Sequence, residues 1–249
     1  MTAMAQEAAG FRYLVGSLTH TGLVRKENED NIAVHPDRGL WAVADGMGGH
    51  ANGRWASAQI VAELAAAPLA SDLDADCDSI ADALADANAK IVAAAEAAGQ
   101  TIGSTVVALR IAGRRYACLW AGDSRIYRMR DGRLRQLTRD HSQVEQLVQA
   151  GIIKPEEAES HPMANVITRA VGVAPDLALD VVEDEIVSGD SFLLCSDGLS
   201  KCLSDGEIAA IVATHPPGEA CDALLAATLK RGAPDNVSVI VVRCEDGDA

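Results

Sequence analysis

The sequence predicts an α+β sandwich in which hairpin strands pack with paired helices. Three observations carry this prediction: apolar or alternating runs of strand length, an Asp131–Gly132 pair between two of them, and longer segments with apolar residues at helical spacing. The 249 residues are 49% hydrophobic, which is enough to bury a core without disulfides or metal. Because no repeat, Pro-rich linker or long block of one charge divides the chain, we expect a single domain over residues 1–249.

The apolar and alternating runs predict strands, and two pairs of neighbouring runs predict hairpins. The first pair is joined by Ala112-Gly-Arg114 and the second by Asp131–Gly132, which is a strong signal for a two-residue turn. The predicted strands are, in chain order, 31–35, 40–44, 104–111, 115–121, 124–130, 133–137, 191–195 and 237–243.

The helical segments have recognisable starts and stops. Helices are predicted at 55–67, at 80–98, in a short stretch after Asp140, from the capping box Ser204-x-x-Glu207 to about 214, and at 219–230. Pro68 ends the first and Gly232 the last. The acidic segment 74–78 follows no strand and lacks the glycine and the glutamate of a calcium loop, so it is interpreted as a solvated stretch before the second helix.

The charge balance excludes some classes of function. Lys and Arg number 21 against 36 Asp and Glu, a net charge of −15, and aromatic residues are few, so nucleic-acid binding is not expected. Residues 1–10 do not resemble a secretory signal and no apolar run is long enough to span a membrane, so we expect a cytoplasmic protein. The six cysteines form either a disulfide framework or buried reduced thiols, and the size of the chain favours the thiols.

Acidic residues recur where predicted strands meet glycine or asparagine. Each such corner alone is most simply a turn, but together they would form an all-oxygen cage suited to Mg²⁺ or Mn²⁺ rather than Zn²⁺. The five corners are Arg25–Asn31, Asp45–His50, Gly122–Ser124, Ser196–Gly198 and Pro234–Asn236.

These motifs, in this order, resemble the metal-dependent Ser/Thr protein phosphatases of the type-2C (PPM) family, in particular its bacterial members. The resemblance covers about 14–243 and implies a four-layer α-β-β-α sandwich of two mostly antiparallel sheets flanked by helix pairs, with a flap segment at about 138–175. The matching motifs are Val43–His50, Gly103–Thr105, Ala121–Arg125, Leu137–Ser142, Cys195–Leu199 and Gly232–Asn236.

The resemblance implies a set of metal ligands. Asp45 would bridge two Mn²⁺ or Mg²⁺ ions, and the carbonyl of Gly46 would help to hold the second ion. Asp197 and Asp235 would complete the shell of the first ion. Asp123, together with Asp197, matches the position that holds a third ion in bacterial relatives, so two or three ions are expected.

Four further residues receive roles from the same resemblance. Glu29 would reach the second ion through water, and Asp30 would support that shell. Arg25 matches the arginine that grips the substrate phosphate, and Asn236 would hydrogen-bond near the metal-bound water. The implied reaction is hydrolysis of phosphoserine and phosphothreonine in proteins by a hydroxide that bridges the metal ions, which reverses Ser/Thr kinase signalling.

The sequence differs from the family pattern at some positions, and other functions compete with this prediction. Met47 stands where eukaryotic relatives carry a histidine acid, and His50 is interpreted as a loop-stabilising residue, so no general acid is assigned. A catalytically silent binding protein is a rival, opposed by the presence of Asp45, Asp197 and Asp235. A regulatory phosphatase for one dedicated anti-sigma-type partner remains open.

The expected partners are phosphorylated proteins, including a cognate Ser/Thr kinase and its substrates, with no nucleic acid or membrane partner. We expect a monomer. The Leu40–Trp41 pair, in a chain that we expect to form a standalone domain, is similar to phosphatases paired with type VI secretion kinases.

Overall fold

Antiparallel strands and two groups of helices build the part of the chain that the computed structural model describes, residues 4–8, 11–49, 51–70, 72–158 and 161–247. The strands are β1 (Met4–Ala8), β2 (Phe11–His20), β3 (Asp30–His35), β4 (Leu40–Met47), β5 (Gly103–Ser104), β6 (Val106–Ala112), β7 (Arg115–Ala121), β8 (Arg125–Arg130), β9 (Arg133–Gln136), β10 (Asp180–Glu185), β11 (Ser191–Cys195) and β12 (Val237–Asp246). The helices are α1 (Ala51–Ala66), α2 (Leu73–Ala98), α3 (Gln143–Gln149), α4 (Pro155–Ala158), α5 (Asp197–Ser200), α6 (Asp205–Thr214) and α7 (Pro217–Lys230).

The strands form two sheets, and the pairings between the named strands are antiparallel. One sheet has the order β1-β2-β12-β11-β8-β9. The other has the order β10-β7-β6-β4-β3, with β5 paired to the end of β4. The predicted α+β class with two antiparallel sheets is confirmed.

Alternation of side chains along the central strands produces the layers. On β4, Trp41 and Val43 face a core shared with β2, β11 and β12, whereas Ala42 and Ala44 face a second core beneath α1 and α2. A third core lies between the other sheet and α5–α7. The order of layers is therefore helix pair, sheet, sheet, helices, as predicted, and the central strands β6, β11 and β12 are buried on both faces.

Strong local signals led to correct element predictions. Asp131 and Gly132 have φ angles of 50° and 72°, so the β8–β9 hairpin closes as the Asp-Gly pair predicted. Ser204 and Glu207 form the capping box that begins α6. The six cysteines are free thiols, which confirms the interpretation as reduced side chains. Within the described ranges, no helix combines the length and the apolar character that crossing a membrane requires.

Other elements differ from the prediction. Strands β2 and β10 were not predicted, and helix α1 begins at Ala51 rather than at Trp55. Helix α2 begins at Leu73, because the side chain of Asp72 accepts a hydrogen bond from the backbone of Ala75 and caps the helix. The interpretation of 74–78 as a solvated stretch was therefore wrong.

Asp76 lies inside helix α2 and is completely buried. Its Oδ2 accepts bonds of 2.9 and 2.6 Å from Nε and Nη2 of Arg110 on β6, and its Oδ1 accepts one of 2.6 Å from the backbone of Ala70. Arg110 also donates to the carbonyl of Arg38. This pair, with its hydrogen bonds satisfied, holds the start of α2 against the second sheet. Asp76 and Arg110 are 34 residues apart in the sequence.

Removal of the buried carboxylate should destabilise the fold strongly. We expect Asp76→Ala to lower the free energy of unfolding by about 3–5 kcal/mol, because Arg110 would stay buried without its counter-ion. The matched control is Asp74→Ala, since Asp74 is 73% exposed in its pair with Arg115 and should contribute less than about 1 kcal/mol. Urea denaturation of both variants measures the difference, and equal effects would contradict this account of the pair.

Candidate metal centre

The acidic corners of the sequence meet at one end of the two sheets. There the ends of β4, β7 and β11 and the starts of β6, β8 and β12 surround a cleft of about 580 Å³. Eight of the nine predicted site residues line it: Arg25, Glu29, Asp45, Gly46, Asp123, Asp197, Asp235 and Asn236. Asp30 is the exception, because it is buried behind the cleft wall.

Asp30 and Asp45 are placed by strand register. They are directly opposite one another on β3 and β4. The backbone of Asp45 is fixed by its carbonyl, which accepts bonds from Thr105 N at 2.9 Å and from Ser104 Oγ at 3.0 Å. At the next position, a Cβ would lie 2.1 Å from the carbonyl oxygen of Gly53, so only glycine fits at residue 46.

Hydroxyl groups from the other sheet hold Asp30. Its Oδ2 accepts bonds of 2.8 Å from Ser196 Oγ and 2.7 Å from Ser238 Oγ, and Ser238 is in turn 2.8 Å from Thr19 Oγ1. These bonds join β3 to β11 and β12 just beneath the cleft. Asp30 is therefore a supporting residue that links the two sheets and does not itself line the cleft.

Two side-chain cations are paired with carboxylates of the cleft. Nη2 of Arg25 donates to Oδ2 of Asp235 at 2.7 Å. Nζ of Lys201 donates to Oδ2 of Asp197, four residues earlier in the chain, and to Oδ1 of Asn165 at 2.7 Å. Asp123 is 6% exposed and enters the cleft from the turn between β7 and β8.

Crowding of the carboxylates shifts their protonation. Burial, the largest cause, and the charge of Asp197 raise the pKa of Asp123 to about 7. Burial also raises the pKa of Asp30 to about 7, against the bonds from its two serines. Asp45 is partly accessible from the cleft but is otherwise enclosed by protein. Its pKa is raised well above the usual value, mainly by burial. The smaller contributions to this rise come from the charges of Asp30, Asp197, Asp123 and Asp235.

The donor set fits hard divalent cations. In the described part of the chain, three buried carboxylate oxygens have no hydrogen-bond partner: Oδ1 of Asp30, of Asp123 and of Asp197. Carboxylate and carbonyl oxygens are the ligands that Mg²⁺ and Mn²⁺ prefer. Nevertheless, no three His, Cys, Asp or Glu side chains of the described ranges already form a closed metal cage. Two of the cleft carboxylates, those of Asp235 and Asp197, are instead paired with Arg25 and Lys201.

Asn236 has a positioning function in the cleft. Its Nδ2 donates to the carbonyls of Thr21 and Glu27, at 2.8 and 3.0 Å, and its Oδ1 accepts from the backbone of Glu29 at 2.8 Å. These bonds fasten the loop that carries Arg25 to the start of β12. The role of Asn236 beside metal-bound water stays a prediction.

Sequence reasoning missed Lys201 and Asn165. The available signal for Lys201 was its spacing of four residues from Asp197, which brings two side chains onto one side of a helical turn. No local signal marks Asn165, which reaches the cleft from the flap segment, defined as residues 138–175. Met47 lines the cleft, as its position after Asp45–Gly46 suggests, whereas His50 lies outside the described residues.

Comparison with protein families and sequences gives a consistent result. The sequence model of the family described as protein phosphatase 2C matches residues 22–230. Serine/threonine protein phosphatase PstP of Mycobacterium tuberculosis is 40% identical over 250 residues, which cover 98% of this chain and 47% of PstP. Protein phosphatase PhpP of Streptococcus pneumoniae is 34% identical over 243 residues, with 94% and 99% covered. This chain thus spans about half the length of PstP and nearly all of PhpP.

Solved structures resemble this chain along most of its length. PppA, described as a key regulatory component of T6SS in Pseudomonas aeruginosa, superposes with a TM-score of 0.87 and 44% identity, covering 93% of this chain and 97% of that one. The catalytic domain of PstP in complex with two manganese ions superposes with a TM-score of 0.84 and 37% identity, covering 95% and 99%.

The raised pKa values predict that stabilisation by a divalent cation grows with pH. In EDTA, the folded state retains protons on the buried carboxyls that the unfolded chain has already lost, so the free energy of unfolding falls as the pH rises from about 4 to about 7. A bound cation relieves the repulsion and competes with those protons. We therefore expect the increase in melting temperature on adding Mn²⁺ to be larger at pH about 8 than at pH about 6. Each additional kcal/mol of stabilisation by the metal should raise the melting temperature by about 2–4 °C.

Differential scanning fluorimetry with and without Mn²⁺ at both pH values measures this increment. The comparison within one pH removes contributions from groups that the metal does not touch. Asp45→Asn should lose most of the increment at both pH values. An increment that is independent of pH, or larger at the lower pH, would contradict the assignment of these carboxyls to a metal site.

Proposed function

This chain belongs to the protein phosphatase 2C family, and we propose that it is a divalent-metal-dependent phosphatase that hydrolyses phosphoserine and phosphothreonine in proteins. One observation carries the proposal. Carboxylates from five separate corners of the fold converge on one cleft, with an arginine at its mouth and unpartnered carboxylate oxygens in its wall. PstP and PhpP, which are named as protein phosphatases, support the same activity.

The residues of the cleft divide into metal holders and a substrate holder. Asp45, Asp197 and Asp235 are the proposed carboxylate ligands of an Mn²⁺ or Mg²⁺ pair, with the carbonyl of Gly46 as a further ligand; PstP has been solved with two manganese ions. Such a pair, when bound, supplies Lewis acidity to water and to phosphate oxygens. Glu29 lines the same wall and is the proposed contact through water.

Arg25 is the proposed phosphate clamp. Its side chain is 54% exposed, stands at the mouth of the cleft and is held on Asp235 by a single carboxylate oxygen. If Asp235 held a metal ion, its pair with Arg25 would be weaker and the guanidinium would be available for a dianionic phosphate ester. The loop bonds made by Asn236 hold the backbone of Arg25 beside the cleft.

Phosphorylated proteins are the proposed substrates, and we infer that a Ser/Thr kinase and its substrates are among them. The resemblance to PppA supports a role beside the type VI secretion system, since PppA is described as a regulatory component of that system. Six free thiols support action in a reducing compartment such as the cytoplasm. A single copy carries all residues of the proposed site, which is compatible with a monomer.

The activity should depend on the metal and on Asp45. We expect turnover of a phosphothreonine peptide with Mn²⁺ or Mg²⁺ and none in EDTA. Asp45→Asn should lower kcat by at least about a thousandfold, the loss of about 4 kcal/mol of transition-state stabilisation, because a neutral amide holds cations poorly. Initial rates of phosphate release measure both effects, with exposed Asp82→Asn on α2 as the matched control.

The same variant separates loss of function from loss of fold. Because Asp45→Asn removes one charge from a repelling group, its melting temperature in EDTA should equal or exceed that of the wild type. Full turnover by metal-stripped protein would overturn the proposal. Phosphopeptide binding without turnover in saturating Mn²⁺ would favour the rival, a catalytically silent member.

Loss of the proposed clamp should mainly weaken substrate binding. We expect Arg25→Ala to raise KM for a phosphopeptide more than it lowers kcat, at a cost of about 1.5–3 kcal/mol, since a phosphate clamp holds ground and transition states alike. The control is Lys26→Ala, the exposed cation next in sequence, which should change KM little. Steady-state kinetics over a range of peptide concentrations measure the split, and equal effects of the two variants would return Arg25 to a general surface charge.

A further inference from the structure

We propose that the ammonium group of Lys201 is the third cation of this site and occupies the place beside Asp123 and Asp197 that a third metal ion would otherwise take. The inference rests on the proposed function, because it presumes that the cleft binds a metal pair. The site would then hold two metal ions and the ammonium group, instead of the three metal ions expected from the sequence.

The oxygen environment of Lys201 Nζ carries the inference. The ammonium group contacts Oδ2 of Asp197 and lies 2.7 Å from Oδ1 of Asn165. One contact comes from the start of α5 and the other from the flap segment, so Nζ joins two walls of the cleft. Both contacts are with oxygen atoms, and one of these belongs to Asp197, which is also a proposed metal ligand. Hard divalent cations bind in the same kind of oxygen environment.

The charges around Lys201 support the same placement. Lys201 lines the same cleft as Asp123, Asp197 and Asp235, so its ammonium group places a positive charge among these carboxylates. Asp123 therefore has a fixed positive neighbour that belongs to the chain itself.

Arg25 and Lys201 differ in how firmly they are held. Arg25 is 54% exposed and makes one contact, with Asp235, at the mouth of the cleft. The side chain of Lys201 is 38% exposed, and its Asp197 partner is only 13% exposed. The short path from residue 197 to residue 201 keeps the ammonium beside this carboxylate, so a divalent ion entering between Asp123 and Asp197 meets a tethered positive charge.

Counting bound manganese tests the proposal without reference to activity. Metal-stripped wild-type protein is dialysed against a series of Mn²⁺ concentrations, and bound metal is measured by mass spectrometry. We expect the wild type to saturate at two ions per chain. Lys201→Met keeps approximately the length of the side chain and removes its charge. This variant should bind a third Mn²⁺ ion with an affinity at least about tenfold higher than the wild type has for a third ion.

Asp123 locates that third ion. In the Lys201→Met background, Asp123→Asn should return the count to two, whereas in the wild-type background it should leave two ions bound. Lys201→Arg retains a cation and should stay at two. The matched control is Lys90→Met, because Lys90 makes the same type of lysine–carboxylate pair with Glu63 far from the cleft.

The proposal would be overturned if the wild type binds three ions and the Asp123→Asn variant binds only two. This comparison needs only these two proteins, so it remains valid even if Lys201→Met does not fold. A third ion that fails to appear in folded Lys201→Met would also overturn it. The outcome is independent of turnover: protein that binds two ions without hydrolysing phosphopeptides contradicts the proposed function alone, and an active enzyme with three ions contradicts only this inference.

Discussion

Mutual repulsion among carboxylates held at one end of the two sheets is the constraint on which the rest of the site depends. Asp30, Asp45 and Asp123 have raised pKa values because burial removes the water that would otherwise stabilise their charges and because each faces others of its kind. Hydroxyl donors and the ion pairs of Arg25 and Lys201 offset part of this cost. The remaining deficit of positive charge is what suits this cleft to the divalent cations that we propose it binds.

The fold sustains this repulsion because each carboxylate is attached to an element that is fixed elsewhere. The apolar core between the two sheets sets the positions of the strand ends, and the bond from Ser196 to Asp30 links the sheets directly beneath the cleft. Close backbone contacts complete the wall. A Cβ at residue 198 would lie 1.9 Å from the carbonyl oxygen of Asn236, so the α5 corner and the β12 corner meet only because residue 198 is glycine.

Sequence patterns predicted what local chemistry determines. The Asp131–Gly132 hairpin and the Ser204 capping box needed no distant partner. The apolar run 40–44 predicted a strand, but β4 continues through Asp45 to Met47 because Asp45 pairs with Asp30 and Gly46 with Ser104. Asp76 was misinterpreted because its partner, Arg110, is distant in sequence, and strands β2 and β10 depend on pairing with strands far along the chain. Lys201 was missed for a related reason: its meaning comes from Asn165 and Asp123, which only tertiary structure brings near.

The most direct test of the central claim is an anomalous-difference map from crystals grown with Mn²⁺ and measured at the manganese absorption edge. We expect two strong peaks in the cleft, bounded by Asp45, Asp197 and Asp235, with the guanidinium of Arg25 moved away from Asp235. Peaks confined to other surfaces of the protein, or a cleft without manganese in which Arg25 still binds Asp235, would contradict this claim.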